Sequence, residues 1–99
     1  MADIQQKTVV RLYEDEGNGL SFNRSEFDLS DFGGHLPIVG DLIIDPGVAQ
    51  GLDRNEPTNR TIFEVTARYF APGSRDDGYT YVCFVVKPRA GTYKEADIL

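Results

Sequence analysis

Cys83 and His35 are the only cysteine and the only histidine in the chain, so nucleophilic catalysis of the common kind would have to be built from them. An attacking Ser, Cys or Lys needs a base within hydrogen-bond reach, normally a His. His35 stands between Gly34 and Leu36 at a turn containing Pro37, whereas Cys83 falls in the middle of the longest apolar stretch, residues 81–86. A cysteine in such a strand is expected to be a small, shielded core residue rather than a nucleophile, and no dyad with His35 is expected. The sequence contains no Gly-x-Ser-x-Gly elbow, no Gly-Lys-Ser/Thr phosphate loop and no Gly-x-Gly-x-x-Gly fingerprint. The expectation is a protein that is not an enzyme and needs no cofactor.

Metal chemistry fares no better. One cysteine and one histidine do not make a zinc site. Glu14-Asp15-Glu16-Gly17-Asn18 concentrates oxygen ligands, but the calcium-loop pattern requires a Glu six residues after its glycine, and that position is Asn23. The run reads instead as a charged hairpin tip that keeps a sheet edge soluble.

What remains is recognition. Sixteen acidic against ten basic residues give a formal net charge of -6, two thirds of it within residues 1–33. That disfavours non-specific nucleic-acid binding, which draws most of its affinity from phosphate neutralisation. Arg outnumbers Lys seven to three, and Arg is the residue that grips carboxylates and stacks on rings. The candidate binding residues are Arg54, Arg60, Arg68, Phe70, Tyr79 and Tyr81. They belong to a surface made of the 61–87 hairpin and the 46–60 loop, with Arg and Tyr as anchors. The leading expectation is an interaction module for a protein partner, or one that self-associates. The alternative is a single-stranded nucleic-acid binder using the same residues as a stacking platform, and a more remote one is an acidic mimic of nucleic acid.

These residues must be positioned by strands. In 61–70 Phe63, Val65, Ala67 and Tyr69 alternate with Glu64, Thr66 and Arg68, the two-residue period of a half-buried strand. Residues 79–87 are β-branched and aromatic, which suits a pleated surface. The turn formers of 71–78 join the two into a hairpin. A second hairpin is expected from residues 7–14, Gly17-Asn18-Gly19, and Leu20 with Phe22 at strand spacing. The apolar parity then shifts to Phe27 and Leu29, which demands a turn or bulge within 23–26, and a third short strand over 26–30 is the simplest account. A further strand is expected over 40–45, ended by Pro46 and Gly47. Residues 46–60 lack periodicity and read as a long loop, functional or mobile.

The strand at 79–86 is apolar on both faces: Tyr79, Tyr81, Cys83 and Val85 on one, Val82, Phe84 and Val86 on the other. Both faces must therefore be covered, one by a core and the other by a terminal segment, the loop or another chain. The fold expected is all-β, a small five- to six-stranded, mainly antiparallel barrel or rolled sheet of SH3-like or OB-like shape. Residues 1–99 are expected to form one domain, with 1–6 and 89–99 peripheral or flexible. Folding 11.0 kDa buries roughly 65% of the unfolded surface, enough for a core without staples. No apolar run reaches the roughly 20 residues that span a bilayer. With one cysteine and no leader-like start, a cytoplasmic location without membrane contact is expected.

Overall fold

Two hairpins, each written in local sequence, supply four of the five strands of the computed structural model, which describes residues 7–72 and 78–99. The first joins β1 (Thr8–Asp15) to β2 (Leu20–Asp28) and the second joins β4 (Thr61–Ala71) to β5 (Thr80–Ala90), both antiparallel. The fifth strand, β3 (Leu42–Ile44), pairs with β4. All five lie in one mixed sheet in the order β2-β1-β5-β4-β3, in which β1 and β5 run parallel. The end strands β2 and β3 do not pair, so the sheet is open and not closed into the expected barrel.

This order explains the doubly apolar strand. β5 is central, flanked by β1 and β4, and its Val82, Phe84 and Val86 meet Val10, Leu12, Phe63, Val65 and Ile43 in the core. Phe84 is fully buried. A short 3-10 helix, Leu29–Phe32, and the loop after it bring Phe32 and Leu36 over that core.

Several local expectations are corrected. No separate strand forms over 26–30. Instead β2 runs unbroken to Asp28, and the parity shift is a bulge in which Leu12 alone stands opposite residues 23–25. Arg24 takes φ 69° there, and Asn23 Oδ1 accepts from Ser25 N at 2.9 Å. The β1–β2 turn closes with Glu16 N donating to Gly19 O at 2.9 Å, and its positive φ falls at Gly17, not at Asn18-Gly19. β4 also bulges: the register passes from Val65↔Val86 to Ala67↔Val85, leaving Thr66 as the extra residue. Phe63 and Val65 therefore share a face with Arg68 and Phe70, while Ala67 and Tyr69 move to the opposite face. A one-residue insertion inverts every side chain beyond it. The tip of the second hairpin, 73–77, lies outside the described residues.

Residues 46–60 are not structureless. Asp45 and Asp53 each accept from the backbone two residues on, at Gly47 N and Asn55 N, and Pro57–Asn59 form a 3-10 helix. Arg60 Nη2 donates to Asp45 O at 3.2 Å, tying the start of the loop to its end. Residues 1–6 lie outside the described residues, while 89–99 hold a short terminal element. Two complete β5 and Tyr93–Ile98 form a 3-10 helix held by Arg89, whose guanidinium meets both Glu95 oxygens at 2.9 and 2.6 Å. Gly91 permits this packing, because a Cβ there would lie 2.5 Å from Pro57 O.

Candidate functional site

The face opposite the core is where side chains with binding chemistry collect. Register and strand period bring Val9, Arg11 and Tyr13 of β1 beside Tyr81, Cys83 and Val85 of β5. Leu20 and Phe22 flank them from β2, and Tyr69 flanks them from β4 beyond the bulge. Val9 and Val85 are buried, but Leu20, Phe22 and Tyr69 are 48%, 41% and 56% exposed. Three large side chains this open on one face form a continuous apolar surface. A wholly apolar groove of about 210 Å³ runs between Tyr13, Leu20, Tyr69 and Cys83.

Beside the groove stands a stack ordered by charge. The Arg11 guanidinium lies 4.7 Å from the centre of the Tyr81 ring and 5.7 Å from that of Phe22, while Nε donates to Glu26 Oε2 at 2.9 Å. The Glu26 hydrogen bond and charge raise the Arg11 pKa above its already high value, so the cation is permanent. Tyr13 packs on Phe22 at 5.5 Å and Tyr79 on Tyr81 at 6.4 Å. Lys7 extends the row, 5.8 Å over the Tyr79 ring and 3.3 Å from Asp28. Each exposed cation–ring contact contributes only about 0.5–1 kcal/mol. Their larger effect is to hold the rings in fixed orientations on this face.

The six residues expected from sequence do not form one surface. Tyr79 and Tyr81 join the stack just described. Arg68 and Phe70 lie on the core side of β4, where the guanidinium sits 4.9 Å over the Phe70 ring and Nη1 donates to Pro37 O at 3.1 Å. Arg60 is 6% exposed and serves the loop. Arg54 is exposed in the middle of the loop, beside a small polar hollow of about 240 Å³ shared with Arg60, Asn55 and Leu99. Sequence reasoning missed Arg11, Tyr13, Leu20, Phe22, Tyr69 and Cys83 as one site. The signal for part of it was present, since Arg11 and Tyr13 share parity on β1 and Leu20 and Phe22 share parity on β2.

Cys83 is not buried as expected. It is only half-buried, because it faces the open side of the sheet rather than the core. His35 is exposed in the loop that covers the core face, so the sheet stands between the two. Among the described residues no group of three or more His, Cys, Asp or Glu is set to hold a metal ion, and no helix is long and apolar enough to cross a membrane. Compared with protein-family models, with curated proteins and with solved structures, the chain matches none.

Proposed function

We propose that this protein is a non-enzymatic interaction module that binds a protein partner through the open face of its sheet. The observation carrying the reading is the apolar and aromatic surface of Leu20, Phe22, Tyr13 and Tyr69 around the groove, continuous with the Arg11–Tyr81 stack. Tyr and Arg dominate the energetics of protein interfaces because they combine large contact area with a polar handle. An apolar sheet face also suits a second sheet or helix, which would bury the exposed rings at roughly 25 cal/mol per Å². The partner in this reading is another protein or a second copy of the chain.

Single-stranded nucleic acid has less support. Arg68 with Phe70 and Tyr79 with Tyr81 occupy opposite faces, so one strand cannot stack along all four. The acidic balance opposes it as well.

A photo-crosslinking residue at Tyr69, compared with one at exposed Gln50, tests the proposal in the native host. Adducts specific to position 69 are expected, and the captured protein should bind the purified domain. Phe22→Ser and Tyr69→Ser should each weaken that binding about tenfold or more, in line with loss of an anchoring side chain. Light scattering over a concentration series covers self-association. A strictly monomeric protein without position-specific adducts, or full binding by both serine variants, overturns the reading.

A further inference from the structure

The gap that leaves the sheet open is bordered by both ends of the sheet. β2 and β3 lie at opposite ends of the strand order, yet one cleft of about 640 Å³ is lined from both: by Phe27, Asp31 and Phe32 at the β2 end and by Asp41, Leu42 and Ile43 at the β3 end. The sheet curls around its core far enough for its two ends to share a cleft but not to pair.

The β3 border of that cleft has backbone to offer. Asp41 O accepts from Val65 N at 3.0 Å and Asp45 N donates to Thr61 O at 2.9 Å, so the carbonyl of residue 41 and the hydrogen-bonding groups of residues 43 and 45 turn toward β4, while Asp41 N donates to Ile38 O at 3.0 Å. By the two-residue alternation of an antiparallel ladder, the N–H and C=O of Leu42 and Ile44 point outward, where no strand pairs with them. Leu42 is 53% exposed, and neighbouring Ile38 and Val39 are 55% and 57% exposed. The opposite edge is guarded differently: β2 carries the Arg24 bulge together with Glu26 and Asp28, devices that resist strand addition.

Charge selects the occupant. Asp31 and Asp41 both line the cleft, and neither has an ion-pair partner among the described residues. One oxygen of each is occupied locally: Asp31 Oδ2 accepts from Asp28 N at 2.7 Å and Asp41 Oδ2 from Ile38 N at 2.8 Å. These bonds fix the carboxylates and leave the second oxygen of each for a cation.

We propose that this cleft binds an extended basic peptide segment of another protein, which pairs with the outward backbone of β3. Its apolar side chains would enter between Phe27, Phe32 and Ile43, and a Lys or Arg would meet Asp31 or Asp41. This is strand addition to a sheet edge, where main-chain bonds give affinity and alternate side chains give specificity. The site is separate from the open face, so either proposal can fail without the other.

The probe is a blocked six-residue peptide of alternating valine and lysine, titrated into the isotope-labelled full chain and followed by amide shifts and hydrogen exchange. Saturable shifts centred on residues 41–45 are expected, with new protection of the Leu42 and Ile44 amides. Leu42→Pro should weaken binding at least tenfold, because proline removes an outward N–H while leaving the bonds to β4 intact; unchanged exchange at Phe63 and Val65 verifies that the fold survives. Asp31→Asn with Asp41→Asn keeps both local acceptor oxygens and should weaken binding about fivefold at low salt. A valine–glutamate peptide should not bind. Absence of saturable binding at millimolar probe, full binding by Leu42→Pro, equal binding of the glutamate peptide, or shifts centred on Arg11 and Tyr69 would each overturn the proposal.

Discussion

Truncation on the two faces of the sheet should have very different consequences. Phe84 is fully buried at the centre of the core, whereas Tyr69, on the opposite face of the neighbouring strand, is 56% exposed. Phe84→Ala removes a whole ring from a packed site and should cost about 3–5 kcal/mol through lost transfer energy and the cavity left behind. Tyr69→Ala removes a ring that already meets solvent and should cost no more than about 1 kcal/mol. Domains of this size are stable by only about 5–15 kcal/mol. Urea denaturation with an m-value near 2 kcal/mol/M would therefore show the Phe84 midpoint falling by about 2 M and the Tyr69 midpoint by about 0.5 M or less. Phe84→Glu, which buries an unpaired charge, should abolish folding. Comparable losses for Phe84→Ala and Tyr69→Ala, or a loss below about 1 kcal/mol for the former, would refute the assignment of core and open faces on which the functional proposal depends.

Three further outcomes are expected. A thiol reagent should modify Cys83 in the native protein without prior unfolding, since the side chain lines an open groove; modification only after denaturation would show that the face is covered. Arg89 holds the Glu95 carboxylate down to about 2, first by its hydrogen bonds and with help from Thr92, against an ordinary value near 4.5. A depressed acid stabilises the fold above its unfolded pKa, so docking of the 93–98 helix should be complete above about pH 4.5 and be lost progressively as pH falls toward 2. NMR titration of Glu95 would follow this, and Arg89→Ala should move the midpoint up toward the ordinary value. Gly91→Ala forces a Cβ against Pro57 O, 2.5 Å away, and Leu99 Cδ1, 2.7 Å away, which should cost about 1–3 kcal/mol by thermal or urea unfolding.

Local chemistry determined much of this protein from sequence alone. The alternation of 61–70, the β-branched and aromatic run of 79–87 and the intervening turn formers specified one hairpin, and Gly17 to Gly19 specified another, because turn conformation and side-chain period are properties of neighbouring residues. The all-β class and the doubly apolar character of β5 followed from the same patterns. Two bulges were beyond that reasoning. An extra residue at Thr66 leaves no signature in composition, yet it turns Tyr69 away from Phe63 and separates Arg68 and Phe70 from Tyr81. The bulge at 23–25 was visible as a parity shift, but only pairing with β1 decides whether such a shift is a bulge or a new strand.

Strand order was decided by tertiary structure, and the candidate site with it. The parallel pairing of β1 with β5 joins residues about 70 positions apart. No local pattern encodes it, because it depends on which arrangement best buries Val10, Leu12, Val82 and Phe84 together. That pairing brings Arg11 onto the Tyr81 ring and makes Cys83 part of an open groove instead of a core. It also leaves β2 and β3 as unpaired ends around the acidic cleft. The residues of the candidate site were present in the sequence as types. Their assembly into surfaces required the long-range burial that chooses one sheet order over the others.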